Sequence, residues 1–418
     1  LNGPGGPLKK ADLLRIFGDV EGETGVVVHD TLPDVPGTYN PEGITFAVVH
    51  GETKEGDFYM KNGPYDKGLF SYDTFLRPGE GHKPDRWVLA SSPDQTFYEL
   101  PSIMSAAQAL WHTSSGVWLD RTADLRSAPE VCSGGGMKDE AICSPGVRNG
   151  LWAKAFGNWA ERSQNHSFTI HDRTYNYDVG YDQDSYGIVG GLDFAPGFGD
   201  GYGRGGWLLG VMAGYINSSQ EFKHSTTDVD MEGALLGAYA TYLHGGLFVN
   251  AQLTANIGEV EYHNSAVTVS ARDKADLRSI GGMIDVGYRM PIAAGGTFIE
   301  PGATLTYVSS NIDDLTIYGT TIDFRDGNSL RGRLGVRLGT SITQGSHKVE
   351  PFVGVSAWHE FDGDNKIHNA EYKLSASDDT SGWIGEVSGG VNIFGMDSSG
   401  ISGFAKGNYQ FGDNDYSS

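Results

Sequence analysis

The chain has 418 residues, with 53 Asp and Glu against 30 Lys and Arg and a net charge of -23. That balance argues against binding nucleic acid or an anionic lipid face by bulk charge. No apolar run of about eighteen residues occurs, which excludes a transmembrane helix; the test is blind to β-barrels, where only alternate strand residues face lipid.

The sequence opens on Leu1 rather than Met and carries no signal peptide, so it reads as a fragment whose targeting segment lies upstream. Up to about residue 95 the pattern is of short strands, at 25–29, 43–49, 68–72 and 86–89, separated by Gly, Pro and Asp turns. This spacing suits a β-solenoid or a sandwich. A helix is predicted over residues 100–126. Its first part is rich in small residues such as Ser102, Ser105, Ala106 and Ala107, and Gly116 is expected to weaken its middle. Cys132 and Cys143 then flank a glycine-rich stretch. An isolated close pair in an exported chain suggests a disulfide, worth roughly 3 kcal/mol in the chain-entropy picture, with two free thiols as the alternative. A metal pair is disfavoured, because no His or further Cys lies nearby at ligand spacing.

From residue 150 onward the chain reads as one long meander. Leu247, Val249, Ala251, Leu253 and Ala255 share one face, while Asn250, Gln252, Thr254 and Asn256 share the other. Arg331, Arg333 and Arg337 likewise alternate with Leu330, Leu334, Val336 and Leu338. Period-two alternation of this kind is a strand with one apolar face, turned either to a protein core or to lipid. Length and connections separate the two. Eleven strand segments are predicted, near 150–163, 183–195, 205–217, 230–243, 246–260, 277–291, 296–309, 329–342, 348–361, 381–394 and 400–411. Most reach the roughly 9–11 residues a tilted strand needs to cross a bilayer. Brief turns alternate with longer polar loops, the pattern of a bacterial outer-membrane barrel. Trp207, Tyr215, Tyr242, Tyr307 and Phe411 are candidates for its aromatic girdles. The strand count is odd, whereas single-chain bacterial barrels have even numbers. The reading is therefore that residues 412–418 belong to an outer loop and that a descending strand is missing from a sequence truncated at both ends.

Several motifs carry a resemblance. The run Asn149-Gly-Leu-Trp-Ala-Lys-Ala-Phe-Gly157 resembles the opening barrel strand of the type V autotransporters, and Tyr186-Gly-Ile-Val-Gly-Gly-Leu-Asp193 and Gly210-Val-Met-Ala-Gly-Tyr215 resemble the next two. Upstream, residues 62–72 and 86–91 are similar to a pertactin-type autochaperone, and residues 109–126 to the segment that leads into the barrel. The resemblance implies an all-β fold: an antiparallel transmembrane barrel, twelve-stranded in the family, with a lumenal α-helix and a preceding β-helix end. The expected division is 1–97 for the passenger end and autochaperone, 98–148 for the pore helix and linker, and 149–418 for the barrel. Asp193, Asp285, Glu300, Arg331, Arg333, Arg337, Glu350 and Glu386 are the candidate lumen-facing charges. The implied function is export and display of the chain's own passenger, with a passive porin or adhesin-type barrel as the alternative. The implied partners are outer-membrane lipid, the barrel-assembly machinery and the passenger, with the protein a monomer and no cofactor required.

Enzyme readings are weaker. His359 and Glu360 near an outer strand end lack an evident acidic partner at matching height. His166 and His171 fall in a predicted loop and read as solvated rather than metal-binding. The glycine-rich stretch 199–206 lacks the Lys-Ser/Thr and the helix of a phosphate loop.

Overall fold

The computed structural model describes residues 13–32, 35–127, 130–133, 142–145, 149–196, 205–265, 271–293, 296–325, 327–345, 347–395, 402–413 and 415–418. Its largest element is one curled antiparallel sheet. We number its strands β1 (Gly150–Arg162), β2 (Tyr181–Phe194), β3 (Gly205–Phe222), β4 (Thr227–His244), β5 (Leu247–Asn264), β6 (Ala271–Tyr288), β7 (Thr297–Ile312), β8 (Asn328–Thr340), β9 (His347–Asp362), β10 (Gly382–Gly395) and β11 (Ser402–Gly412). Each pairs with its neighbour in sequence, so the sheet runs from β1 to β11 without a crossover. All eleven predicted strands are present. Four of them, β3 to β6, reach 18 residues, longer than predicted. At about 3.4 Å per residue such a strand is nearly twice as long as the hydrocarbon core is thick. The surplus lies at the long-loop end, where the pairing of β3 to β6 continues beyond the apolar band.

The alternation on β5 settles which face meets lipid. Leu253 is 71% exposed and Ile257 is exposed, whereas Asn250, Gln252, Thr254 and Asn256 are each at most 3% exposed. The same inversion holds on β8, where Leu334 is 70% exposed and Leu338 is exposed. A water-soluble sheet would bury the leucines and wet the amides. Here the apolar face points outward and the polar face inward, as a sheet curled in lipid requires. Of the girdle candidates, Trp207, Tyr215, Tyr307 and Phe411 are exposed on this outer face, and Trp207 packs on Tyr242 with ring centroids 5.0 Å apart.

A short helix α1 (Gln95–Glu99) is capped by Asp94, whose carboxylate accepts from the Phe97 amide at 3.1 Å. It leads directly into α2 (Pro101–Ser127), which begins on a proline, where a missing N–H costs nothing. Its 27 residues span about 40 Å, the full depth of the barrel. Gly116 does not interrupt it. The lumen wall surrounds the helix, so lost propensity at one glycine is outweighed by burial.

Outside the barrel, Leu14–Ile16 pairs in parallel with Ile44–Val49, and Thr24–Val26 with Phe58–Met60. Leu14 lies beside Ala47 and Thr24 beside Phe58, offsets that differ by a single residue, as one coil stacked on the next gives. Parallel stacking of this kind favours the solenoid over the sandwich. The antiparallel strands Phe70–Arg77 and Asp85–Pro93 then close the sheet. Its core contains Ala47, Val49, Phe58 and Trp87.

Residues 412–418 are not an outer loop: Ser417 exchanges backbone hydrogen bonds with Glu161 of β1 at 2.8 and 3.0 Å, and Ser418 with Gln410 of β11 at 2.8 and 3.1 Å. The chain turns tightly at Asp413 and Asp415, and its final residues lie between the first and last strands, which are not paired directly to each other among the described residues. The reversal is so short that composition alone, rich in Asp and Asn, reads as a loop. In the linker, Glu130–Ser133 pairs with Ile142–Pro145 so that Cys132 lies directly opposite Cys143. The side chains that would form the expected disulfide fall outside the described residues.

Candidate functional site: the occupied lumen

No residue of α2 is exposed, and one half-buried face, with His112, Gly116, Asp120 and Ala123, borders a cavity. A helix in water needs one apolar stripe, but a helix inside a polar tube needs partners all round, which is why Ser, Gln, Trp and charged residues mix along it. Its outer half is held mainly by hydrogen bonds between uncharged groups. Gln183 donates to the Ala106 carbonyl at 3.0 Å, Asn256 to the Ser114 hydroxyl at 3.1 Å and Gln252 to the Ser115 carbonyl at 3.1 Å. Ser115 and Thr254 hydroxyls meet at 2.9 Å, and His112 meets the Ser329 hydroxyl at 2.8 Å. Trp111 fits because Gly281 faces it on β6: a Cβ there would come within 2.5 Å of the indole.

The inner half is held by charge. Arg121 pairs with Asp193, Asp124 with Lys154 at 2.6 Å, Arg126 with Glu300 at 3.6 Å and Asp120 with Lys406 at 2.9 Å. Trp118 packs on Tyr239 with centroids 3.7 Å apart. The Trp152 indole donates to the Tyr239 hydroxyl at 2.8 Å, which donates to Asp193 at 2.5 Å. At the exit, Ser127 donates to Glu350, and Lys348 donates to the Ser127 carbonyl at 2.8 Å. That last contact satisfies a carbonyl at the helix C-terminus with a cation, where the helix dipole favours one. Arg289 bridges Glu300 at 3.3 Å and Glu350 at 2.8 Å.

The eight charges anticipated from alternation all sit on the inward face, but in two groups. Asp193, Glu300 and Glu350 reach α2. The rest pair along the wall: Arg333 with Glu386 at 3.0 Å, Arg337 with Glu300 at 3.3 Å, Arg331 with Glu360 at 2.5 Å, and Asp285 with Asn250 and Thr304 at 2.9 Å each. Beside α2 a cavity of about 310 Å³ remains, lined by Asp120, Arg333, Trp358, Glu386, Lys406 and Gln410 among others.

Sequence reading missed Lys154, Arg289 and Glu360 on the wall, and Arg121, Asp124 and Arg126 on the helix. Glu360 shares the phase of Glu350, ten residues earlier, and alternation alone would have placed it inside. His359 is on the opposite face, ring to ring with Phe361 and Trp383 at 4.6 and 4.5 Å, so the two residues cannot act together as a rim catalytic pair. Nor are His166 and His171 solvated: His166 stacks on Tyr98 at 4.0 Å, and His171 donates to the Pro41 carbonyl at 2.6 Å. A loop that folds back on another domain leaves no mark in its own periodicity.

Residues 151–403 match the family model of the autotransporter beta-domain. The chain belongs to the autotransporter family. It is 22% identical to an uncharacterized protein of Escherichia coli K12, YdeU, over 363 residues, covering 80% of this chain and 74% of that one. It is 27% identical over 178 residues to a probable autotransporter of the same strain, YcgV, covering 40% of this chain but 18% of that one. In fold it is similar to the transport unit of the autotransporter AIDA-I from Escherichia coli, with a TM-score of 0.52 at 14% identity, covering 64% of this chain and 86% of that one. Autotransporter translocator domains are outer-membrane β-barrels, and the outward apolar face and filled polar lumen of this one meet that description.

Proposed function

We propose that this autotransporter exports its own N-terminal passenger and displays it at the cell surface, and that residues 13–98 assist the passenger's folding there. One observation carries the reading: the chain is threaded. The solenoid coil lies at the long-loop end, α2 runs the length of the lumen, and β1 starts at the short-turn end. A chain whose barrel strands are inserted and whose upstream residues lie on the far side has passed through or alongside that barrel. Free energy for the passage comes from folding outside, since a solenoid coil buries its core only against a neighbour. Membrane lipid against the apolar face, the assembly machinery and the passenger are the partners this reading needs, with one chain as the working unit. A passive pore is disfavoured by the ion pairs that fill the lumen with α2.

Antibody labelling of intact cells carrying an added N-terminal epitope is the test. The epitope should be labelled while the outer membrane is closed. An epitope accessible only after the outer membrane is opened would overturn the reading.

A further inference from the structure

Three outer loops of the barrel are folded into hairpins. Between β1 and β2, Asn165–Ile170 and Arg173–Asp178 form a hairpin whose turn residues His171 and Asp172 both have positive φ. That geometry matches the right-handed twist of paired strands. Between β7 and β8, and between β9 and β10, two further hairpins join into one four-stranded sheet: Leu315–Ile317, Thr320–Arg325, Asp364–Asn369 and Leu374–Asp379.

The segment that follows the solenoid coil sits between these two jaws. On the first, Arg173 pairs with Asp73 at 2.6 Å and lies over the Phe75 ring, while Tyr175 donates to Asp73 at 2.8 Å. Ile170 shares a buried cluster with Phe75, Val88 and Ala90. Tyr98 lies against His166 and Tyr177 with centroids 4.0 and 5.5 Å away. On the second jaw, Tyr372 meets Phe70 edge to face at 5.3 Å and Tyr39 at 6.2 Å. Tyr318 closes on Gly68, where a Cβ would lie 3.3 Å from it. The same sheet reaches α2 through Asp378, which accepts from Ser105, and Asn365, which exchanges hydrogen bonds with Gln108 at 2.8 and 3.0 Å.

The two sides of this interface differ in how they fold. The first jaw is a hairpin with local contacts, which forms in about microseconds, and the second is two such hairpins whose joining pair, Asp323 with His368, is already brought together by the paired barrel strands β8 and β9. The docked segment needs pairings far apart in sequence, such as Ile44 with Leu89, and those are slow to find. Before docking, the jaws would present Ile170, Tyr177, Tyr318 and Tyr372 as an aromatic and apolar surface.

We propose that the loop hairpins are a preformed template on which residues 36–98 complete their fold, so that the barrel contributes to folding the chain it exports. The inference rests on the export reading above. The test uses the full chain in the outer membrane, with an N-terminal epitope, and two variants: Arg173→Ser with Tyr372→Ser, and replacement of residues 165–178 by a short Gly-Ser turn. Barrel integrity is read by heat-modifiable mobility, export by surface labelling, and folding by the rate at which pulse-labelled residues 13–98 become protease-resistant. Intact barrels, normal export and a roughly tenfold slower gain of resistance are expected in both variants, since without the template the segment must find its distant pairings unaided, which slows folding. Export with resistance gained as fast as in the parent overturns the template. So does an unchanged rate with only a lower final level, which would reduce the jaws to a clasp. An epitope unreachable in the parent overturns the export reading, and the template with it.

Discussion

Replacing Asp193 by Asn should loosen α2 in the lumen far more than its one-atom change suggests. The Asp193 side chain is fully buried, and it receives both the Arg121 guanidinium and the Tyr239 hydroxyl. An amide in its place keeps one acceptor for two donors and turns an NH₂ toward one of them. Arg121 keeps its charge, and its side chain is only 15% exposed. Leaving one partner of a buried pair uncompensated costs about 3–5 kcal/mol. The residual exposure of Arg121 lets solvent screen part of the charge, so about 3 kcal/mol is the better expectation. The measurement is urea unfolding in detergent micelles, followed by tryptophan fluorescence, in a cycle of Asp193→Asn, Arg121→Met and the double variant. The double variant should recover most of the loss, giving a coupling of about 2 kcal/mol or more. A single variant within about 0.5 kcal/mol of the parent would show that this part of the lumen is water-filled, and that the ion pair does not hold the helix.

Cys132 and Cys143 should form a disulfide. Directly opposed residues in an antiparallel ladder have Cα atoms about 4.5–5.5 Å apart, within bridging range; non-reduced mass spectrometry finding two free thiols would refute it. Outside the membrane, burial raises the Asp30 carboxyl, but hydrogen bonds from Lys67, the Leu32 amide and Tyr65 outweigh it and bring it down to about 2. Its folded pKa lies below the unfolded value, so its stabilisation is present above about pH 4 and is lost as pH falls toward 2. Acid should therefore loosen the solenoid end over that window by proteolysis, and Asp30→Asn should remove that part of the pH dependence.

Much of this fold was legible because lipid reverses a simple rule without hiding it. Alternation on β5 and β8 is plain in the sequence, and turn length gives the phase of the whole meander. Helix α2 was legible in extent but not in its contacts. Arg121, Asp124 and Arg126 look like an ordinary solvated face until a wall surrounds them, and nothing local says that Lys154 will meet Asp124. The outer hairpins were missed for a related reason. Residues 165–178 are polar enough to read as loop, and their strand character depends on a turn conformation at His171 and Asp172 that neither residue announces as glycine would. The turn that follows β11 was hidden the same way.

Adjacent positions on α2 offer a sharper check of how wet the lumen is. Asp120 and Arg121 both form ion pairs with the wall, but Asp120 and its partner Lys406 are 27% and 23% exposed and border the cavity. Charges beside water gain little from pairing, so this bridge should be worth about 0–1 kcal/mol. Asp120→Asn should then cost under about 1 kcal/mol in the same urea experiment. The small cost should vanish at about 1 M salt, where the screening length falls to about 3 Å. The Asp193→Asn penalty should persist there, because buried pairs are screened much less. Equal, salt-independent costs at both positions would mean that the cavity is dry. Equal, salt-sensitive costs would mean that solvent reaches Asp193 as well. In either case the division of the helix into a water-lined side and a sealed side would fail.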